Sequence, residues 1–387
     1  MTLITNKSPI VDLNITRNPL DIINTLNSLL YVPDDKLRPR IILELATYLQ
    51  KKINNADYNL KLFTLTKNQI PTGFVVCQID PEYKSYGMKC ATFGWLHAND
   101  FESCRILMDA CEHYVRENKL KKLRGPINYP KYIGGVGYQI LGHSAPMMNG
   151  VAFNSPEMKE FGYLTELGYI PESEYSCVEV VQKSWEHGKD MDEDIIIRFH
   201  SVDEIVDLED EIYDLARNSF YSVLADAPGG KSRIEEMIES YRETYKKFTS
   251  QLIEIDPAAY FESARFIEIH NNTDIEKSVP CCPMAFDKTT GKLVGMIMAL
   301  PNLYQLWNDE KLTHTNVDTA MIKKEYAGKG IFSALNNIGQ LMCRMKGVNY
   351  IEGTTIWSNN DRAIKTIFPH SILRRKHVVF QKRLLRK

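Results

Sequence analysis

The sequence predicts an α+β protein with mixed α/β sheets, built as two similar domains in tandem. The second half of the chain has the order strand, glycine turn, helix, strand, asparagine-led helix and strand. A similar order of elements recurs, more faintly, in the first half. We therefore expect one domain over residues 1–185 and another over residues 193–387, with the boundary in the polar, charged stretch 182–190.

Length and composition fit a globular protein with two domains. The chain has 387 residues, 44% of them hydrophobic and 25% charged, which is typical of soluble globular proteins. A net charge of −2 gives no reason to expect a nucleic-acid or membrane partner. The start of the chain lacks the pattern of a signal peptide, and no uncharged apolar run approaches the ~18 residues of a membrane span. We expect a cytoplasmic protein.

The eight cysteines indicate neither a disulfide framework nor a metal site. Most lie inside apolar runs, and none forms a C-x-x-C pair. We interpret all eight as reduced thiols, in the core or at the surface. The sequence therefore predicts no bound metal.

In the first half, the hydrophobic periodicity predicts alternating groups of helices and strands. Helices are expected at 21–30, 41–53 and 101–115, and strands at 60–65, 73–80, 90–97 and from 121. A further helix should start at Asn154, with a proline in its first turn, and end at Gly168. An extended segment, 169–181, then completes the first half.

The most informative stretch lies in the second half. A short strand, 317–322, is followed by Gly328 and Gly330 and then by a helix whose apolar face is Ile331, Ala334, Leu335, Ile338, Leu341, Met342 and Met345. Glycines in such a turn allow close approach of a ligand, and the first amides of the helix have no internal partners. The turn is suited to a phosphate, although a plain strand–helix connection can also contain two glycines.

The elements that follow continue this pattern. The helix should end at Lys346-Gly347, and a strand should occupy 348–355. The cluster 358–361 predicts the cap of a helix that runs through Ile367, and a last strand includes 378–380. Upstream, Ser201 should begin a helix through Leu215, and 283–286 and 293–300 should form a hairpin.

This order of elements resembles the acyl-CoA-binding half of the GNAT superfamily of acyltransferases. In that family the turn reads Arg/Gln-x-x-Gly-x-Gly/Ala, and here the six positions are Ala327-Gly328-Lys329-Gly330-Ile331-Phe332. Gly330 matches the pattern, whereas Ala327 and Phe332 depart from it. The resemblance covers about half of the chain and implies two GNAT-like domains in tandem, each a mixed, mostly antiparallel sheet flanked by helices.

The resemblance implies an acyl-CoA-dependent N-acyltransferase that transfers an acetyl group from acetyl-CoA, or another acyl group from its CoA ester, to a small-molecule amine. The second domain would bind this cofactor. Its implied binding residues are Met321, Ile322, Lys323, Ala327, Gly328, Lys329, Gly330, Ile331, Phe332, Ser333, Asn359 and Asn360. In the first domain, the matching turn at 97–102 has no glycine, and Asp100 and Glu102 would repel a pyrophosphate. We expect that domain not to bind the cofactor.

The candidate base lies on the strand before the glycine turn. Strand alternation would place Asn316, Asp318, Ala320 and Ile322 on one face, and Asp318 is the carboxylate among them. We therefore predict Asp318 as the catalytic base, with His314 as the next candidate. The alternative is that Asp318 is a strand residue bonded to a neighbouring loop.

No general acid is evident in the sequence. The tyrosine that the family places in the asparagine-led helix would fall at Ile367 or Phe368, and neither side chain can donate a proton. A thiolate can leave unassisted, so this absence does not exclude activity.

Two other functions stay open at this point. The departures at Ala327 and Phe332, with the missing tyrosine, favour a non-catalytic binding protein with the GNAT fold. Alternatively, an acyl carrier protein supplies the thioester, which needs little of the nucleotide site. The protein would be a monomer or a homodimer.

Two groups of residues allow two interpretations each. Aromatic residues of 219–265 either wall an acceptor pocket or form the core of a helical insertion; they are Phe220, Tyr221, Tyr241, Tyr245, Phe248, Tyr260 and Phe261. A basic C-terminal run is either a solvated edge strand or a contact for phosphates or an acidic carrier protein; it consists of Arg374, Arg375, Lys376, Lys382, Arg383, Arg386 and Lys387.

Overall fold

A computed structural model of the chain describes residues 10–55, 59–81, 83–181, 190–219, 231–260 and 264–384. The expected boundary segment falls almost wholly within 182–189 and so lies outside the described residues. The same holds for Phe220, Tyr221, Phe261, Arg386 and Lys387, and for the side chain of Tyr260.

The chain forms two compact units, and neither is continuous in sequence. The first comprises residues 1–143, 152–174 and 377–387, and the second comprises residues 144–151 and 175–376. Each unit therefore includes a short segment from the other half of the chain. The domain limits expected from the sequence, 1–185 and 193–387, stay a prediction.

The elements of the first half follow one another in chain order. They are β1 (Val11–Thr16), α1 (Pro19–Leu29), α2 (Arg38–Ile53), β2 (Leu60–Lys67), β3 (Ile70–Gln78), β4 (Lys84–Ser85), β5 (Met88–Lys89), β6 (Ala91–Ala98), α3 (Phe101–Glu117), β7 (Lys122–Gly125), β8 (Ile127–Asn128), β9 (Gly135–Val136), β10 (Tyr138–Leu141), α4 (Glu160–Glu166) and β11 (Ile170–Val180).

The second half begins with β12 and ends with a long strand. Its elements are β12 (Ile195–Arg198), α5 (Val202–Asp207), α6 (Glu209–Ser219), α7 (Lys231–Ser250), α8 (Ala264–Asn272), β13 (Met284–Asp287), β14 (Leu293–Pro301), α9 (Leu303–Trp307), β15 (His314–Ile322), α10 (Ile331–Met345), β16 (Tyr350–Trp357), α11 (Asp361–Ile367) and β17 (Ser371–Arg383). The strands β11 and β17 each run from one unit into the other.

The sheet of the first unit has the strand order β1-β2-β3-β6-β7-β17. All neighbouring pairs are antiparallel except β6 and β7, which are parallel. On one face, the apolar side of α3 forms a core with alternate residues of the strands, including Val75, Phe93 and Phe380. Helices α1 and α2 pack against β2 and β3.

The sheet of the second unit has the order β11-β16-β15-β14-β13-β12. Here β15 and β16 are parallel, and the other pairs are antiparallel. Helices α8 and α10 cover one face through a core that includes Phe266, Ile297 and Leu335. Helices α6 and α7 also pack on β14, and α6 reaches β15. The predicted fold class is confirmed: each unit is a mixed, mostly antiparallel sheet flanked by helices.

The long periodic helices and the caps match the prediction closely. Helix α10 ends at Met345, and Gly347 has a φ of 85°, as expected for a C-terminal stop. The capping box at Ser201 is present, but the predicted helix is broken into α5 and α6 at Leu208. The strand β1 was not predicted, although the alternation of the apolar residues Val11, Leu13 and Ile15 with polar residues indicates a strand.

The remaining global features concern cysteines, metals and membranes. All eight cysteines are buried and none is part of a disulfide. Within the described ranges, no cluster of three His, Cys, Asp or Glu side chains could hold a metal ion. None of the helices described is long and apolar enough to cross a membrane.

Candidate functional site

The parallel strands β15 and β16 of the second unit pair over only part of their length. Their ladder runs from His314 opposite Tyr350 to Val317 opposite Gly353. Both strands continue beyond this point, β15 to Ile322 and β16 to Trp357. In the described part of the chain the ladder goes no further, so the backbone of 318–322 has a side that is not paired to β16. Such a gap can accept an extended ligand by backbone hydrogen bonds.

A β-bulge lies at the start of this gap. On the other side of β15, Thr319 faces Met298 and Val317 faces Ala299, which leaves Asp318 without an opposite residue. Val317, Ala320 and Ile322 all pack towards the core under α10. Asn316 therefore points to the opposite face from Ala320 and Ile322. The expected uniform alternation was wrong, because the bulge shifts the parity of the strand.

Asp318 itself is half-buried at the bulge, and Thr319 Oγ1 donates to its Oδ2 at 3.4 Å. Its position next to the open part of β15 is compatible with the predicted role as base. No observation tests that role, which stays a prediction.

The glycine turn has the conformation that the sequence indicated. Gly328 and Gly330 have φ values of 80° and 72°, and Gly330 caps α10 without a side-chain hydrogen bond. A left-handed φ at both positions explains why glycine is needed there. The first helical bond joins Ala334 N to Gly330 O at 3.1 Å, so the amides of Ile331 and Ser333 have no partner within the helix.

Space around the turn is consistent with a phosphate. A Cβ placed on Gly328 would have no neighbour within 4 Å, and both Ala327 and Gly328 are exposed. The ring of Phe332, which departs from the family pattern, is half-buried and packs against the core under α10. It is thus partly withdrawn from the turn. The residues present fit a backbone cradle for a pyrophosphate.

One charge pair alters the electrostatics of this cradle. Lys329 Nζ lies 3.0 Å from Asp192 Oδ2, and the Asp192 amide donates to the Lys329 carbonyl at 3.1 Å. The hydrogen bond with Asp192 raises the pKa of Lys329. The lysine therefore stays charged. Because Asp192 partly neutralises this charge, Lys329 would attract a phosphate less strongly than an unpaired lysine would.

The end of β15 is held by α6. Ser219 Oγ donates to the Ile322 carbonyl at 3.2 Å, and Lys323 Nζ lies 3.5 Å from Asp214 Oδ2. Met321 is buried and Ile322 is half-buried, so cofactor contacts in this region would come from backbone rather than from these side chains.

Helix α11 has the predicted cap, but the two positions at which the family would place its tyrosine hold no proton donor. The Asn360 side chain accepts from Ala363 N at 3.2 Å, and Asn359 is exposed in the preceding turn. The helix ends at Ile367, as the sequence indicated, and Phe368 begins a short 3-10 turn. Neither residue can protonate a thiolate.

His314 lies at the closed end of the β15–β16 ladder. It is four residues from Asp318, about 13 Å along a strand. Its Nδ1 is 3.1 Å from Thr313 Oγ1, and its ring centre is 5.1 Å from that of Tyr350. Burial lowers the pKa of His314. The structure thus does not bring His314 to the opening beside Asp318.

A buried network of polar side chains, which was not predicted from the sequence, holds β15 through Asn316. Asn316 and Asn149 are both fully buried, and Asn316 Nδ2 donates to the Asn149 carbonyl. Asn149 Oδ1 accepts from Leu303 N at 3.0 Å, and its Nδ2 contacts the Tyr241 hydroxyl. Asn149 belongs to the segment 144–151, which lies in the second unit. Nothing in the local sequence marks this residue.

A buried ion pair lies beside this network. Glu352, directly opposite Asn316 in the ladder, is 3.1 Å from Arg375 and accepts from the Tyr350 hydroxyl at 2.5 Å. Burial raises the pKa of Glu352, whereas Arg375 acts in the opposite direction. In the sequence, the only indication of this pair was that Glu352 is the one carboxylate within the strand β16. Since both charges are buried and paired, we interpret them as structural.

The two groups of residues with open interpretations are partly resolved. Tyr241, Tyr245 and Phe248 are buried, which favours the core interpretation for these three. The interpretation of the basic run as a solvated edge strand does not hold for all of its residues. Arg375 is buried against Glu352, Lys382 Nζ lies 2.6 Å from Glu112 within the first unit, and Arg374 pairs with Glu179.

In the first unit, carboxylates occupy the turn before α3. The Asp100 side chain caps the helix by accepting from Ser103 N at 2.7 Å, and Glu160 Oε1 accepts from Ala98 N at 3.0 Å. A phosphate would have to replace these anions. That this unit does not bind the cofactor stays a prediction.

Comparisons with known proteins place the fold. No protein-family model matches the sequence, and no curated protein matches it. Among solved structures, the chain is similar to a GCN5-related N-acetyltransferase from Sphaerobacter thermophilus, with a TM-score of 0.52 and 10% identity over 96% of this chain and 95% of that one. It is also similar to a tandem GNAT protein from the clavulanic acid biosynthesis pathway, with a TM-score of 0.54 and 9% identity over 98% and 100% of the two chains.

A third similar structure is a probable N-acyltransferase from Enterococcus faecalis, with a TM-score of 0.52 and 9% identity over 98% of this chain and 73% of that one. At such low identity the likeness concerns the fold alone. It confirms the predicted tandem GNAT fold.

Proposed function

We propose that this protein, which has the tandem GNAT fold, is an acyl-CoA-dependent N-acyltransferase whose second unit binds the acyl-CoA. The observation that carries the proposal is the adjacency in sequence of two features: the side of the 318–322 backbone that is not paired to β16, and the left-handed glycine turn that opens α10. The first suits the amide-bearing arm of coenzyme A, and the second suits its pyrophosphate.

In this proposal each residue has a defined task. An acyl-CoA supplies an activated thioester to which an amine can add. The backbone near Met321 and Ile322 would orient the thioester carbonyl, and the amides after Gly330 would bind the phosphates. The carboxylate of Asp318 would accept the proton that the acceptor amine loses as its nitrogen bonds to the acyl carbon. The CoA thiolate would leave without a protein acid.

The expected acceptor is a small-molecule amine, with acetyl as the expected acyl group. Asn359 and Asn360 would lie on the cofactor side, at the start of α11. We also propose a cytoplasmic location and a monomer or homodimer.

A second candidate function is favoured by Asp192. Its carboxylate, 3.0 Å from Lys329, brings negative charge to the cradle where a pyrophosphate would bind. An acyl carrier protein would present the same thioester arm with less need for this cradle. A non-catalytic binding role would use the fold in the same way but without turnover.

Calorimetric titration of the full chain with acetyl-CoA and with CoA separates these functions. Binding with a Kd of about 10 μM or tighter for acetyl-CoA supports the proposal. Absence of heat with both ligands overturns it and favours a carrier-protein donor. Binding without CoA release, measured as free thiol over a panel of small amines, favours the non-catalytic role.

A further inference from the structure

The strand β1 forms one edge of the sheet of the first unit. Within the described ranges it pairs with β2 alone, and the register of the pair runs from Val11 to Thr16 without a bulge. Proteins usually protect such an edge with charged residues, proline or a bulge, because an open strand can pair with another chain. The strand β1 has one charged residue, Asp12, and no proline. Its edge is therefore weakly protected.

Half of the backbone groups of β1 point away from β2. The Ile10 carbonyl accepts from the Asn68 amide at 2.9 Å, which places the backbone groups of residue 10 on the β2 side. Successive residues of a strand direct these groups to opposite sides. The N–H and C=O groups of Val11, Leu13 and Ile15 therefore face the open edge, and the part of the chain that the structure describes gives them no partner.

The side chains of the same three residues form an apolar row at the surface. Val11, Leu13 and Ile15 are 42%, 43% and 47% exposed. Leu13 and Ile15 lie opposite Leu65 and Phe63 of β2, which belong to the core under α3. The row thus extends this apolar core to the edge of the sheet. Exposed apolar side chains beside unpaired backbone groups indicate a surface at which another strand binds.

The sequence of β1 is complementary to itself in the antiparallel direction. If Leu13 lies on a two-fold axis, Val11 faces Ile15 of a second copy, and Ile15 faces Val11 of that copy. The three residues whose backbone groups point outwards then face one another, so each of these pairs can exchange two hydrogen bonds. Directly opposed apolar side chains add to the stability of such a pairing.

The charged residues favour this register over its neighbours. With Leu13 on the axis, Asp12 faces Asn14 of the second copy, and an amide can donate to a carboxylate. A register with Asp12 on the axis would place two carboxylates opposite each other, which is unfavourable. A register with Asn14 on the axis would place Val11 opposite the cationic Arg17. Only the first of these registers matches the apolar row with itself and gives Asp12 a polar partner.

We propose that β1 is a dimerisation surface, at which two copies of the chain join the sheets of their first units by antiparallel β1–β1 pairing about Leu13. The pairing satisfies the outward backbone groups of both strands and covers both apolar rows. A contact made by one short strand is small, so we expect a weak dimer, with a Kd of about 1–100 μM. The proposal selects the homodimer over the monomer and does not depend on the proposed acyl-CoA site.

Sedimentation equilibrium of the full chain, at concentrations up to about 200 μM, tests the proposal. Wild type should show a monomer–dimer equilibrium, and the amides of Val11, Leu13 and Ile15 should exchange their hydrogens more slowly as the dimer forms. A single monomeric species at every concentration overturns the proposal and leaves this edge to a different protein. A dimer in which these amides exchange as fast as in the monomer also overturns it, because the contact then lies elsewhere.

Two substitutions of Asn14 should act in opposite directions. Asn14 is exposed, so both variants should fold. Asn14→Asp places a carboxylate opposite Asp12 in two symmetry-related pairs and should weaken the dimer about three- to tenfold. Asn14→Lys places an ammonium group there and should strengthen it. Effects in the same direction, or no effect of either substitution, contradict the proposed register.

Leu13→Lys tests the centre of the contact. It places two ammonium groups opposite each other on the axis and should weaken the dimer at least about tenfold. The matched control is Leu43→Lys, because Leu43 is similarly exposed, at 52%, but lies on α2 rather than on the edge strand. This control should dimerise like wild type. Equal dimerisation by the two variants overturns the proposal, and circular dichroism checks that both are folded.

Discussion

The side-chain amide of Asn316 donates to the backbone carbonyl of Asn149, a residue 167 positions earlier in the chain. Both residues are fully buried in the second unit. The strand that carries Asp318 is thus held by a segment from the half of the sequence that was expected to form the other domain. The two halves of the chain are therefore not independent in building the candidate site.

Asn149→Ala should lower the free energy of unfolding by about 2–3 kcal/mol, because Leu303 N and the Tyr241 hydroxyl both lose a buried partner. The Asn149–Asn316 bond uses backbone and would survive. Urea unfolding of the full chain measures the change. Asn336→Ala is the matched control, since its Nδ2 has no partner in the described structure and alanine favours a helix. Equal effects of the two substitutions would count against the network.

Gly330→Glu should abolish or strongly weaken acetyl-CoA binding. The left-handed φ of 72° disfavours any side chain, and the new carboxylate would lie near the amides that would bind phosphate. Calorimetry with acetyl-CoA measures the effect. Gly162→Glu introduces the same charge in α4, where a Cβ meets nothing within 4 Å, and should bind like wild type. Binding by Gly330→Glu within about threefold of wild type would show that the phosphates lie elsewhere.

Asp318→Asn should keep the fold and the affinity for CoA, because the two side chains are nearly isosteric and the proposed contact is to the acceptor. Turnover should fall by ~10²–10⁴, the usual contribution of a positioned general base. The fall should be smaller at high pH, where more of the amine is already deprotonated. Thiol release with an amine substrate measures it, and Asp309→Asn is the control, because the Asp309 side chain is 97% exposed. Unchanged turnover at neutral pH would remove Asp318 from the mechanism.

His97 should make the first unit sensitive to acid. Burial lowers the pKa of His97 from 6.5 to about 4, and its ring stacks on Phe74 at 5.0 Å. Between these values the unfolded chain binds a proton that the folded chain does not, so stability falls as the pH falls. The loss from about pH 7.5 to about pH 5.0 should be about 2 kcal/mol.

The measurement is urea unfolding at these two pH values for wild type and His97→Gln. The variant should lose less stability on acidification by about that amount, whatever its stability at neutral pH. His113→Gln, at a side chain that is 77% exposed, is the control. It should lose as much stability as wild type when the pH is lowered. An identical pH dependence in His97→Gln and wild type would show that His97 is not the cause.

Local sequence patterns were sufficient for the elements that depend on their own residues. The helix α10 follows from an apolar residue at every third or fourth position, and its glycine turn follows from the need for positive φ at Gly328 and Gly330. The Asn360 cap and the capping box at Ser201 are equally local. These features involve residues only a few positions apart, so the sequence shows them directly.

Other features of the site depend on partners far away in the chain. The bulge at Asp318 exists only because β14 pairs with β15 in a shifted register, and strand parity alone therefore misplaced Asn316. The burial of Arg375 requires Glu352, and the position of Asn149 requires β15, α7 and α9. Burial of a polar residue costs free energy unless a partner compensates it. For these residues the partner is distant in sequence, so it can be identified only from the tertiary structure.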